Sequence, residues 1–139
     1  MAKAQKILVT VDGSDTAIRA LKFAISVTPP GTRSLLLYVQ APVPRSRAVS
    51  QALIEEHYAR QEELALGKAR KFLARTKTSA LIEICIGDPA STIVEYARKK
   101  KCTQIVMGNR GHGTLKGLFL GSVAMKVVQL SDVPVTLVK

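Results

Sequence analysis

The sequence predicts a single α/β domain built on an open, five-stranded parallel β-sheet with helices on both faces. Short apolar runs alternate with segments of helical periodicity in the order β-α-β-α-β-α-β-α-β, without an internal repeat or a linker. Residues 6–11 form a nearly unbroken apolar run, which is typical of a central parallel strand buried on both faces. A glycine-rich stretch over residues 108–121 joins the fourth strand to the last helix. Together these three observations predict the fold class.

The N-terminal half contains two strands and two helices in alternation. The first strand stops at the turn Asp12-Gly13-Ser14, where Ser14 is a suitable N-cap for the helix that follows. A second buried strand covers residues 34–39 and leads into a basic, proline-rich connector. A long helical pattern then runs from near Ser50 to about Thr76, with a buried stripe on one side and a charged face on the other.

The C-terminal half continues the alternation. A third strand covers residues 80–86, and the charged Glu83 within it indicates an edge position. Asp88, followed by a proline, predicts a helix that reaches about residue 100. The fourth strand lies at 105–107, and the fifth, at 134–138, begins with a proline that an edge strand tolerates.

The edge-like third and fifth strands favour the strand order 3-2-1-4-5. In that order the chain reverses direction between strands one and four, and ligands of open α/β sheets bind at the carboxyl ends of the strands beside such a switch point. Asp12 follows the first strand and Gly108 ends the fourth. We therefore expect these two residues to share one crevice.

Length and composition limit the class of protein. A chain of 139 residues can bury a real core as one domain. No apolar run reaches the roughly 18 residues of a membrane span, so we expect a cytoplasmic protein without a membrane partner. Cys85 and Cys102 form no CxxC pair and are expected in or near the core.

The charge is strongly basic, with a net value of +11 from 21 Lys and Arg against 10 acidic residues. This balance favours an anionic partner but does not choose among nucleotide, nucleic acid and membrane surface. Aromatic residues make up only 4%, so base-stacking platforms are nearly absent and a nucleic acid is not the expected partner. The densest basic run, residues 98–101, ends a predicted helix, where cations complement the helix dipole.

The glycine loop is the strongest functional signal. Gly108, Gly111 and Gly121 recur within it, and Ser122 follows as the expected cap of the last helix. Glycine lets the backbone approach an anion closely, and the first turn of a helix supplies free N–H donors. Neither GxxxxGK[ST] nor GxGxxG is present. The structural alternative is a flexible surface loop.

The spacing Gly108-x2-Gly111-x9-Gly121-Ser122 is similar to the signature of the ATP-binding branch of the universal stress protein family, G-x2-G-x9-G-[ST]. The resemblance extends over the whole chain, 1–139, as one universal stress protein domain. It implies a Rossmann-like sheet of the adenine nucleotide α-hydrolase type. It also implies ATP with Mg²⁺ or Mn²⁺ as ligands, and a homodimer formed through the C-terminal strand.

The resemblance assigns roles to individual residues. Asp12 would lie near the ribose and phosphates and help to hold the divalent ion, and the backbone of Val39 would read the adenine edge. Asn109 and Arg110 lie inside the motif, although the signature does not specify their types. The residues that would cradle the ribose and phosphates are Gly108, Gly111, Gly121, Ser122 and Val123. For Asp12 a plain turn, and for Ser122 a plain cap, are the alternatives.

Three functions are compatible with the sequence. The first is an ATP-binding regulator or switch in a stress response, with at most slow ATP hydrolysis or autophosphorylation, because no nucleophile–base pair stands out near the loop. The second is an enzyme that cleaves ATP and transfers a nucleotidyl group. The third is a basic interaction module for nucleic acid or an acidic protein.

Overall fold

A computed structural model of the chain describes residues 5–110 and 120–139. Its strands are β1 (Lys6–Thr10), β2 (Arg33–Gln40), β3 (Leu81–Ile86), β4 (Gln104–Gly108) and β5 (Val135–Val138). Its helices are α1 (Asp15–Val27), α2 (Gln51–Thr76), α3 (Pro89–Lys99) and α4 (Ser122–Leu130). The strands form one parallel sheet in the order β3-β2-β1-β4-β5, which confirms the predicted fold class and strand order.

The sheet is covered on both faces, and successive residues of β1 point to opposite cores. Ile7 and Val9 pack with residues of α1 and α2 in one core cluster, whereas Leu8 packs with residues of α3 and α4 in the other. This alternation follows from the two-residue period of a strand. It explains why the sequence of β1 is apolar at nearly every position.

Three of the helices that the structure describes begin at a side-chain cap, and two of these caps, Ser14 and Asp88, were predicted. The side chains of Ser14, Ser50 and Asp88 accept hydrogen bonds from the backbone N–H groups three residues further on, at 3.2 Å in each case. In each pair the side-chain oxygen satisfies a donor that the helix itself leaves unpaired. The caps fix where α1, α2 and α3 start, and α1 and α3 both start beside the carboxyl edge of the sheet.

The long helix α2 packs on a wider face than the sequence pattern predicts. The helical period predicts a buried stripe of Ile54, Tyr58, Gln61, Ala65, Ala69 and Phe72. Ile54, Ala65 and Ala69 are buried and the other three are half-buried, while Leu66 and Leu73 beside the stripe are buried as well. The helix therefore covers the sheet with neighbouring rows of side chains in the usual manner of a helix on a sheet.

Both cysteines are free thiols, Cys102 buried and Cys85 half-buried, as predicted. Within residues 5–110 and 120–139, no helix is long and apolar enough to span a membrane.

Candidate functional site

A cavity of about 440 Å³ opens at the carboxyl ends of β1 and β4, where the strand order reverses. It is lined by residues from the ends of β1, β2 and β4 and from the N-terminal turns of α1, α3 and α4. This is the place that open α/β sheets offer to a ligand, and the predicted crevice between Asp12 and Gly108 is confirmed as a feature of the structure. The lining residues are Thr10, Val11, Asp12, Ser14, Ala17, Leu37, Val39, Pro89, Ile93, Met107, Gly108, Arg110, Leu120, Gly121, Ser122, Val123 and Ala124.

The inner part of the cavity is apolar. Leu37 and Met107 are buried side chains of the sheet, and Ile93 of α3 closes the slot from one side. A flat apolar slot of this kind suits a planar ring system, which gains free energy by leaving water. In the sequence, the apolar character of these three residues marks them only as core, so no pattern there indicates that they line a site.

The backbone of Val39 lies at the rim of this slot. The Val11 N–H donates to the Leu37 carbonyl at 3.0 Å, and Gly87 N–H donates to the Gln40 carbonyl on the other side of β2, also at 3.0 Å. Because alternate residues of a parallel strand face the same neighbour, the N–H and C=O of Val39 point towards β1. The N–H and C=O of Val39 lie beyond the last hydrogen bond between β1 and β2. Both groups are therefore placed to form hydrogen bonds with the edge of a planar ligand.

The N-terminus of α4 differs from the prediction at Ser122. Gly121, not Ser122, is the N-cap, with an extended backbone (φ −65°, ψ 159°), and its carbonyl accepts from the Met125 N–H at 3.0 Å. The Gly121 N–H is held by the Asn109 carbonyl at 2.8 Å, which fixes the start of the helix one residue earlier than expected. Ser122 is therefore the first helical residue, and its side chain is exposed at the cavity instead of capping the helix.

Because glycine is the N-cap, α4 has no side-chain cap in the part of the chain that the structure describes. The N–H groups of Ser122, Val123 and Ala124 have no partner within the helix, because the first turn of any α-helix lacks one. All three residues line the cavity. Together with the positive end of the helix dipole, they make this wall of the cavity attractive to an anion.

The turn after β1 places one carboxylate in the cavity. Asp12 Oδ1 accepts a hydrogen bond from the Ser14 N–H at 2.8 Å, which holds the side chain in the turn. Gly13, between them, has a φ of +85°. Burial, followed in strength by the negative charge of Asp12, raises the pKa of Tyr38 on the neighbouring strand, and the Tyr38 hydroxyl donates to Gln40. Asp12 and Arg110 are the only charged side chains among the described residues of the lining.

Gly108 has a structural role beside its place in the cavity wall. A Cβ on Gly108 would lie 2.5 Å from Thr16 Oγ1 and 2.9 Å from the Thr16 carbonyl carbon. The buried Thr16 hydroxyl in turn donates to the Arg110 carbonyl. The missing side chain thus lets α1 approach the segment after β4, and Thr16 ties the two together. No sequence pattern marks Thr16 for this role, since its partner is 94 residues away.

Asn109 joins three parts of the site through its backbone. Its N–H donates to the Val138 carbonyl at 2.9 Å, and its carbonyl accepts from Gly121. Its buried Oδ1 has no hydrogen-bond partner among the described residues, and the residue does not line the cavity. The backbone of Asn109 therefore joins the end of β5 to the start of α4. Gly111, predicted as part of the same cradle, lies outside the described residues.

A divalent ion would find one carboxylate among the described residues of the cavity lining. No group of three or more His, Cys, Asp and Glu side chains that could hold a metal occurs within residues 5–110 and 120–139. Asp12 alone fits an ion that takes most of its ligands from phosphate and water, which is the usual pattern for Mg²⁺.

Known proteins share the sequence and the fold of this chain. The sequence profile of the universal stress protein family matches residues 3–139. The chain belongs to the universal stress protein family. A universal stress protein of Methanocaldococcus jannaschii is 34% identical over 97% of this chain and 82% of that protein.

Solved structures of the family share the architecture. Universal stress protein UspA from Lactobacillus plantarum superposes with a TM-score of 0.82 at 26% identity, over 100% of both chains. A universal stress protein in complex with cAMP superposes with a TM-score of 0.67 at 26% identity, over 99% of both chains. Relatives with this fold thus include a protein that binds an adenine nucleotide.

Proposed function

We propose that the chain binds ATP in the cavity at the switch point and acts as a nucleotide-dependent regulator in a stress response. The observation that carries the proposal is the start of α4, where the three residues whose N–H groups lack a helical partner line the cavity. Such groups bind phosphate oxygens, and the spacing of Gly108, Gly121 and Ser122 matches the family signature. The cAMP complex of a relative supports an adenine nucleotide as the ligand class.

The cavity divides into two parts that fit the two parts of a nucleotide. The adenine would occupy the apolar slot, with its edge against the backbone of Val39, and the phosphates would lie at Gly108, Gly121, Ser122 and Val123. Arg110 lines the same end and adds positive charge. Asp12 would hold Mg²⁺ or Mn²⁺ against the phosphates, which removes the repulsion between its carboxylate and the ligand.

We infer that the nucleotide acts mainly as a regulatory ligand and is at most slowly hydrolysed. The described part of the cavity contains one carboxylate and no histidine or cysteine, so a general base with a paired nucleophile is not assembled there. We expect ATP turnover far below the enzyme median of about 10 per second. Phosphate release at about 10 per second or faster would contradict this part of the proposal. The cytoplasm is the expected location.

The test of ATP binding is a calorimetric titration with and without Mg²⁺. The wild type should bind Mg-ATP with a micromolar Kd, about −8 kcal/mol, and adenosine much more weakly. Gly121→Val should raise the Kd for ATP at least about tenfold, because a branched side chain at the cavity wall crowds the phosphates. Its fold should survive, since the backbone of Gly121 has an extended conformation open to any residue.

The control for this titration is Gly31→Ala, far from the cavity lining, where a Cβ meets nothing within 4 Å. The alanine is strained by the φ of +86° at Gly31, so it loses some stability without touching the ligand. Wild-type protein that is free of bound nucleotide and still fails to bind ATP would overturn the proposal.

We also propose a homodimer that pairs β5 with its counterpart in a second copy. Ile105 of β4 donates to the Pro134 carbonyl, and Asn109, directly after β4, donates to the Val138 carbonyl. The backbone groups of Val135 and Leu137 therefore point away from β4. This exposed edge offers main-chain donors and acceptors to another strand. The half-exposed Met125 and Val128 of α4 lie near the same edge and add apolar surface.

Sedimentation at micromolar concentration should show a dimer for the wild type. Leu137→Pro removes an outward N–H but no β4–β5 hydrogen bond, and it should give a folded monomer. A wild-type monomer at this concentration would contradict the homodimer.

A further inference from the structure

A cluster of exposed basic side chains lies at the end of the sheet opposite the cavity. Parallel strands all begin at this end, and the helices that connect them all finish there. Direct contacts confirm the clustering, since Arg33 N–H donates to the Gln5 carbonyl at 3.2 Å and Lys6 Nζ donates to the Lys100 carbonyl at 2.8 Å. We call this surface the basic end and define it by six exposed side chains, Arg33, Arg75, Lys77, Arg98, Lys99 and Lys101.

Acidic side chains neutralise little of this charge. Asp132 pairs with Arg98 at 2.8 Å, and Glu83 pairs with the neighbouring Lys100 at 3.7 Å. Within the described residues, no ion pair involves the other five members of the basic end. Asp12, Asp15 and Asp88 lie instead at the cavity end, where α1 and α3 begin.

The helix dipoles explain only part of the cluster. A helix C-terminus carries about half a negative charge, so the four described helices offset about two cations at this end. Five members of the basic end are unpaired, which leaves an excess of about three positive charges. Complementing the dipoles, which the sequence suggested for residues 98–101, therefore does not account for the whole surface.

Two of the lysines occupy backbone conformations that disfavour them. Lys77 and Lys101 have φ values of 53° and 56°, in the left-handed region where helix ends normally use glycine. Both lie at helix C-termini, and neither side chain forms an ion pair within the described part of the chain. A residue that breaks a local rule without a structural gain points to a function for its side chain.

We propose that the basic end binds the phosphate backbone of double-stranded nucleic acid without reading its sequence. Phosphates spaced along a duplex give the high charge density that a cluster of separated cations can match. The chain has no Trp and only 4% aromatic residues, so stacking on single-stranded bases is not available to it. A lipid surface fits less well, because the helices meet the basic end with their termini and none lays an apolar face along it.

The test measures binding of the full chain to a fluorescent mixed-sequence DNA duplex of about 20 base pairs. Log Kd should rise linearly with log salt concentration with a slope of about 3, since each neutralised phosphate contributes about 0.9. A fourfold rise in salt should then weaken binding about 60-fold. A second duplex of different sequence should bind equally well, and a single strand no better.

The diagnostic variant is Lys77→Gly with Lys101→Gly. It removes two cations and also relieves both left-handed residues, so the melting temperature should not fall while the salt slope drops by about 2. The matched control, Arg45→Gln with Arg47→Gln, changes the net charge equally in the connector after β2 and should bind the duplex like the wild type.

Several results would overturn the proposal. Failure of the wild type to bind the duplex at about 50 mM salt is one, and equal salt slopes for the two double variants is another. Binding to vesicles of phosphatidylserine and phosphatidylcholine, without binding to the duplex, would assign the basic end to a membrane surface instead. Because the cavity is not involved, ATP titrations of both double variants should match the wild type.

Discussion

Gly13→Ala should lower the free energy of unfolding by about 3 kcal/mol, the largest effect on stability that we expect from one added methyl group. Two costs add at this position. The φ of +85° lies in the left-handed region, where a side chain costs roughly 1–2 kcal/mol. The new Cβ would also lie 2.5 Å from the Leu64 carbonyl oxygen of α2, and overpacking of this kind costs about 1–3 kcal/mol.

The contact at Gly13 cannot be relieved locally. Its partner is a backbone oxygen inside a helix, and the next nearest atom is the Cα of Ala65 at 3.2 Å. Either α2 or the turn after β1 must shift. Because that turn carries Asp12, we expect ATP binding to weaken along with stability.

Urea denaturation of Gly13→Ala and Gly67→Ala provides the comparison. Gly67 lies within the same helix α2, three residues after Leu64, and a Cβ there meets only Glu63 Oε1 at 3.5 Å. Gly67→Ala should therefore be more stable than the wild type by about 0.5–1 kcal/mol, the usual gain for alanine over glycine in a helix. If Gly13→Ala and the wild type have the same midpoint urea concentration of unfolding, the turn and α2 do not approach each other as closely as described.

Gly13 also shows which features of the site the sequence could predict. Its place between Asp12 and Ser14 predicts a turn, because local chain chemistry determines a turn. Its contact with Leu64 depends on how α2 packs across the sheet, and no local pattern encodes that distance. The same holds for Thr16, whose hydroxyl bonds the backbone of Arg110 across the switch point.

The strand order could be predicted because periodicity and edge character are properties of each segment. Once the order was fixed, the meeting of Asp12 and Gly108 followed from the geometry of parallel sheets. The prediction placed the N-cap of α4 at Ser122, one residue too late, because Gly121 and Ser122 are both acceptable N-cap residues. The hydrogen bond from Gly121 N–H to the Asn109 carbonyl decides between them, and it is a tertiary contact.

The basic end illustrates the same limit for charge. In the sequence, residues 98–101 form the one dense run, and a helix dipole is a sufficient explanation for it. The fold adds Arg33, Arg75 and Lys77 from two other segments to the same surface. Their separation along the chain hides the cluster from any sequence window.

Asp12→Asn should reverse the effect of Mg²⁺ on ATP binding. Without metal, the Asp12 carboxylate repels the phosphates, and two unit charges about 8 Å apart at an effective dielectric of about 20 interact by about 2 kcal/mol. Screening by solvent reduces this, so the variant should bind metal-free ATP about tenfold more tightly than the wild type. With Mg²⁺ the carboxylate becomes a ligand, and the variant should bind about tenfold more weakly.

The substitution leaves the turn intact, because an asparagine Oδ1 can still accept the Ser14 N–H that Asp12 holds at 2.8 Å. Asp15→Asn is the matched control: it removes the same charge from a side chain that is 81% exposed, lies outside the cavity lining and pairs with Lys68 at 3.4 Å. Titration calorimetry with and without Mg²⁺ should show a combined change of about a hundredfold for Asp12→Asn and little for Asp15→Asn. Weaker binding of Asp12→Asn in both conditions would instead make Asp12 a purely structural residue of the turn, and the metal assignment would fail.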